Sequence, residues 1–214
     1  TLLDTALDIM AACNYTLNKF GYKSVPEDKL RSKITAGMRE LLKLGVPQDQ
    51  WISSGLETTM RDCFAEYYTE HICERTRAFD GMHELIERIH ENSLKCAVIT
   101  NKYYSMAVKV LSKFSFSKNF ELILGCDSIK KSKPDPEPIL KAMAEIGASR
   151  DSSLYVGDHI NDITAANAAG IDSVGALWGN GVNECPPPDT WQATYQARKV
   201  KDLEHIIFEE PFMQ

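Results

Sequence analysis

Apolar positions change rhythm once along the chain. From about residue 4 to 78 they recur at three- and four-residue steps, the spacing of one helix face. Leu3, Leu7, Met10, Leu17 and Phe20 form a first stripe, broken at Gly21 and near Pro26. Leu30, Ile34, Met38 and Leu41 form a second, ended by Gly45 and Pro47, residues that stop helices. Leu56, Met60, Phe64, Tyr67 and His71 form a third, and no strand signal interrupts them. From about residue 80 onward short apolar runs alternate with amphipathic helices. Met82, Leu85, Ile86 and Ile89 share a helix face, and Cys96 to Ile99 reads as a strand. Helix over 103–113, strand from Phe120 to Leu124, helix from Ile139 to Ile146 and strand from Leu154 to Val156 follow. The last elements are a helix over 160–169 closed by Gly170, a strand from Ser173 to Leu177, and a short helix capped by Asp202. Pro186, Pro187 and Pro188 read as a surface loop.

Apolar strands alternating with helices predict a parallel sheet covered on both faces. The expected class is therefore α/β, a doubly wound parallel sheet that follows an all-helical stretch. Such sheets bind ligands at the carboxyl ends of their strands. Thr100, Cys126-Asp127 and Gly157-Asp158 each end a predicted strand, so polar groups from separate stretches should converge on one edge.

Composition narrows the classes. A chain of 214 residues with 43% hydrophobic content is large enough for one sizeable core, or for a core carrying a smaller domain. Its net charge of −6 comes without any basic stripe, which argues against nucleic acid as the main partner. No apolar run approaches the roughly 18 residues of a bilayer span, so no membrane partner is expected. The 6 cysteines, at 13, 63, 73, 96, 126 and 185, include no Cys-x-x-Cys pair. Neither a disulfide framework nor a zinc site is expected, and a reducing, cytoplasmic setting fits.

Three places carry candidate chemistry. Asp158 and Asp162 stand four residues apart at a strand-to-helix junction, where a carboxylate pair suits a hard cation such as Mg2+. The same acids also suit the first turn of a helix, where they offset its dipole. Lys133, in the loop Lys130 to Pro136, is placed to pair with a phosphate or an ionised aspartate; a solvated lysine cluster reads equally from Lys130 and Lys131. Thr100 and Asn101 offer donors for a phosphate oxygen, or simply cap the next helix. His159 reads as a loop histidine, and Trp178 and Trp191 as loop and core packing.

Taken together these elements resemble the haloacid dehalogenase superfamily. The resemblance rests on a strand ending in Thr100, the Lys133-Pro134-Asp135-Pro136 loop, and Gly157-Asp158 followed by Asp162, in that order. Thr1 to Thr5 is similar to the end of the superfamily's first motif, Asp-x-Asp-Gly-Thr-Leu-x-Asp-Ser/Thr. Gly125 to Ser128 and the stretch from Val156 to Gly170 look closest to phosphoglycolate phosphatases. The resemblance implies a Rossmann-like core over 1–3 and 79–214 with a helical cap over 4–78. It implies Mg2+ held by Asp158, with Asp162 supporting the metal or Lys133. Thr100 and Asn101 would bind the phosphoryl group, and Lys133 would neutralise its charge. Thr35 to Arg39 aligns with a segment that faces the active site in the family, so Arg39 is a candidate for a substrate carboxylate.

The implied reaction is hydrolysis of a small phosphorylated metabolite, phosphoglycolate above all, through an aspartyl-phosphate. The implied protein is a monomer or homodimer. The nucleophile and its acid/base partner belong to aspartates just ahead of Thr1, on a strand that lies at the centre of the family's sheet. An N-terminal segment carrying them is therefore expected. A sugar phosphate, nucleotide or pyrophosphate phosphatase, a mutase or dehalogenase on the same fold, and a catalytically silent binder are the alternatives.

Overall fold

The computed structural model describes residues 1–184 and 186–209. The chain divides into two compact units, Leu3–Arg77 and, separately, Thr1–Leu2 with the chain from Ala78 onward.

The first unit is helical. After a short strand β1 (Leu3–Asp4) come α1 (Ala6–Lys19), α2 (Glu27–Arg31), α3 (Met38–Lys43) and α4 (Thr59–Glu70), before β2 (Arg77–Ala78), which pairs with β1. α1 packs mainly on α4, burying Met10, Cys13 and Leu17 beside Met60 and Phe64. The predicted second stripe is two helices. The chain turns through Gly37, whose φ of 92° is open to glycine and strained for other residues, so one helix cannot run through it. The predicted third stripe starts three residues late, at Thr59, although Leu56 is still buried.

In α1 the inward position expected for Leu7 falls to Asp8, which is 5% exposed. Its carboxylate accepts hydrogen bonds from the N–H groups of Arg75 and Thr76 and from the Thr76 hydroxyl at 2.7 Å. Those donors replace the water that a buried carboxylate would otherwise lack. Periodicity registers polarity, not partners 67 residues away, and so assigns the inward place to Leu7.

The second unit alternates. It contains α5 (Met82–Glu91), β3 (Ala97–Ile99), α6 (Tyr104–Leu111), β4 (Leu122–Leu124), α7 (Glu137–Ile146), β5 (Leu154–Gly157), α8 (Ile160–Ala169), β6 (Asp172–Ala176), β7 (Tyr195–Ala197) and α9 (Val200–Phe208). Every pairing in this unit is parallel. β3 pairs with β4, Ile99 opposite Leu124, and β5, β6 and β7 follow in order, Gly157 opposite Gly175. Val174 and Ala176 of the central β6 are fully buried, whereas the residues of β3 are half-buried. Among the described residues β3 and β5 each pair on one side only.

Ile139 of α7 packs with Ala165, Ala166 and Ala169 of α8, and Ile99 and Tyr155 rest against them. This alanine face lets α8 sit close to the strands. β7 was not anticipated: three residues carry too little pattern, and only their register beside β6 makes them a strand. Asp202 is not the cap of α9. It sits one turn in and accepts from the N–H groups of Arg198 and Lys199, because the chain enters the helix from Lys199. Among the described residues the cysteines are free thiols, and Cys185 lies outside them. No described helix is long and apolar enough to cross a membrane.

Candidate active site

The carboxyl ends of β3 and β5 carry the candidate residues, and one lysine joins them. Lys133 follows β4 in the loop before α7, preceding a cis peptide bond to Pro134. Its Nζ donates to Asp162 Oδ1 at 2.6 Å, to the Tyr155 hydroxyl at 2.9 Å and to the Ile99 carbonyl at 3.2 Å. An ammonium has three donors, so all are engaged. Burial alone would lower the pKa of this ammonium, but Tyr155 and the Asp162 carboxylate more than offset it and hold the charge in place. Burial pushes the Tyr155 hydroxyl up to about 12, so it meets Lys133 as a neutral phenol. Lys130 and Lys131 stay in solvent, the latter near Asp135 at 3.3 Å.

Asp162 occupies the first turn of α8 and uses both oxygens. Oδ1 takes Lys133, and Oδ2 accepts the His159 N–H at 3.1 Å. His159 is the N-cap of that helix, its Nδ1 accepting from the Asn161 N–H at 3.0 Å. Gly157 makes the approach possible, since a Cβ there would overlap the Asp162 side chain. A residue with any side chain would push the carboxylate off the lysine.

Asp158 points elsewhere. Its Oδ1 accepts from the Thr1 hydroxyl at 2.5 Å, and its Oδ2 accepts from the Gly181 N–H at 3.0 Å. The two aspartates thus divide the work: Asp162 secures Lys133, while Asp158 offers carboxylate oxygens beside the Thr1 hydroxyl and the Gly181 N–H. That donor chemistry suits a hard divalent cation, which takes one or two carboxylates and otherwise keeps water and substrate oxygens. No cluster of three or more His, Cys, Asp or Glu side chains that could hold a metal occurs among the described residues. The fit is therefore that of a single protein carboxylate.

Thr100 directly follows β3, its N–H bonded to Leu124 at 2.9 Å. Its hydroxyl accepts the Lys102 N–H at 3.2 Å and does not cap α6, which starts four residues on. Asn101 is exposed beside it. Asp127 turns away from the cluster and receives the Tyr104 N–H at 2.7 Å, serving the first turn of α6. Arg39 belongs to the helical unit, with its Nε 2.6 Å from Glu57 Oε1. Tyr155, Gly181 and Trp178 were not singled out as site residues from sequence. Trp178 donates its indole N–H to the Thr1 carbonyl at 2.9 Å, and nothing local in sequence marks a contact spanning 177 residues.

Known proteins are similar to the chain over most of its length. The family model described as haloacid dehalogenase-like hydrolase matches residues 1–176. A phosphoglycolate phosphatase of Xanthomonas campestris is 30% identical over 193 residues, covering 90% of this chain and 86% of that protein. An N-acetylmuramic acid 6-phosphate phosphatase of Pseudomonas putida is also 30% identical, over 97% of this chain and 92% of the relative. The crystal structure of a predicted phosphoglycolate phosphatase from Haemophilus somnus superposes with a TM-score of 0.83, covering 96% of this chain and 93% of that one at 23% identity.

Proposed function

Because the chain belongs to the haloacid dehalogenase-like hydrolases, we propose that it hydrolyses a small phosphate monoester, with phosphoglycolate as the substrate. The observation that carries the reading is the buried Lys133–Asp162 pair standing beside Thr100 at the strand ends. It fixes a positive charge where a phosphoryl group would lie against the Thr100 hydroxyl and the Asn101 N–H. Phosphoryl transfer depends chiefly on such positioning and charge stabilisation.

In this reading Asp158 offers one oxygen to a divalent cation, magnesium, which when bound supplies charge to the phosphoryl oxygens. Lys133 acts through its held charge, and a phosphoryl oxygen displaces the Ile99 carbonyl, the longest of its three contacts. The expected aspartate ahead of Thr1 attacks phosphorus, and its partner aspartate protonates the leaving oxygen. Water then attacks the aspartyl-phosphate and releases inorganic phosphate, dividing one difficult step into two. Arg39 is the proposed partner of the substrate carboxylate, so Arg39→Ala should raise KM for phosphoglycolate.

Phosphate release by the full-length protein tests the reading. Phosphoglycolate, N-acetylmuramic acid 6-phosphate, sugar phosphates and nucleotides are each assayed with magnesium and with chelator. Turnover of phosphoglycolate that disappears with chelator, and in Asp158→Asn, is expected. Inactivity toward the whole panel would instead identify a silent binder.

A further inference from the structure

The loop after β6 touches both sides of the Thr1–Asp158 contact. Trp178 donates its indole N–H to the Thr1 carbonyl at 2.9 Å, and Gly181 donates its backbone N–H to Asp158 Oδ2 at 3.0 Å. Between them the loop lies directly on Asp158. A Cβ on Gly179 would overlap the Asp158 side chain, and one on Gly181 would stand 2.5 Å from the Asp158 carbonyl oxygen. Gly179 is buried and Trp178 half-buried. The segment therefore has two fixed attachments, one on each partner, with glycine wherever it passes closest.

We propose that Trp178 and Gly181 are positioning residues that set the Asp158 carboxylate against Thr1, and through it the affinity for a divalent cation. The proposal rests on the phosphatase reading, which gives Asp158 its cation. A carboxylate with one oxygen anchored by a backbone N–H keeps the other aimed in a fixed direction. Partners of this kind around a metal ligand typically contribute about 10–100-fold in metal affinity or activity. The indole has a parallel task, holding the chain that carries the Thr1 hydroxyl.

Trp178→Phe removes the N–H donor and keeps an aromatic ring, and its half-buried place tolerates the smaller side chain. In the full-length protein, magnesium and manganese binding is measured by calorimetry without substrate, alongside thermal unfolding and phosphate release across a magnesium titration. The expected result is a Tm close to the parent, about tenfold weaker cation binding, and kcat that recovers at high magnesium while KM for substrate is unchanged. Gly181→Ala retains the N–H but pushes on the Asp158 backbone, and it should weaken cation binding in the same direction. It serves as the deciding variant should Trp178→Phe not fold. Cation affinity equal to the parent in the folded variants overturns the positioning role while leaving the phosphatase reading intact. A parent protein that binds neither cation removes the metal role of Asp158, and this proposal with it.

Discussion

Lys133 Nζ stands 2.6 Å from Asp162 Oδ1, and the two side chains are 9% and 10% exposed. The pair closes a path from the loop before α7 to the first turn of α8, with the Ile99 carbonyl and the Tyr155 hydroxyl completing the lysine's shell. Removing one member leaves the other charged and buried, which typically costs about 3–5 kcal/mol. Asp162→Ala and Lys133→Ala should each lose stability on that scale in urea titrations. The double variant Lys133→Met with Asp162→Leu should recover much of it. Additive losses in the cycle would count against a coupled pair. Phosphate release should fall at least about 100-fold in Lys133→Ala.

Gly157 is required by packing against the same carboxylate. Gly157→Ala places a methyl group into the Asp162 side chain. Overpacking of this type costs about 1–3 kcal/mol. The expected signature is a lowered Tm together with reduced turnover, since Asp162 is displaced from Lys133. A variant with the parent's Tm and kcat would refute the contact.

Within the helical unit, Asp8→Ala leaves the Arg75 and Thr76 N–H groups without their acceptor. A buried unsatisfied group, as the Thr76 N–H would become, costs about 1–3 kcal/mol. Hydrogen exchange at those amides should accelerate strongly, and Asp8→Asn should retain part of the protection because its amide oxygen still accepts.

Cys13 gives the chain an alkaline limit. The thiol is fully buried, and burial pushes it up to about 12 from an ordinary 9.0. The folded state therefore keeps a proton that the unfolded state releases. The resulting stability is complete below pH 9.0 and declines as pH rises toward about 12. Unfolding free energies at pH 8, 9.5 and 10.5 should fall more steeply in the parent than in Cys13→Ala, by up to about 1.4 kcal/mol per pH unit. Iodoacetamide should leave Cys13 unmodified in the folded protein at pH 8.

Local pattern by itself determined the helical first part and the alternating second part, because burial imposes periods near 3.6 and 2 on apolar positions. α8 was legible to the residue, from Ile160 to Ala169, because Gly170 ends it in the left-handed region. Thr100, Lys133, Asp158 and Asp162 were legible as candidates because they stand at strand ends or in the loop beside them. Tertiary structure alone decided how they pair. Nothing within the sequence around Lys133 says that it takes Asp162 rather than Asp158, or that Tyr155 and Ile99 share it. Those contacts cross 22 to 34 residues and depend on the parallel order of the strands. The same holds for Asp8, whose burial is stabilised by donors brought to it by the return of the chain, and for Trp178, which meets Thr1 only once both ends of the unit come together. A side chain's chemistry is written locally, but its partners are set by which distant backbone groups the fold leaves within 3 Å of it, at hydrogen-bond range.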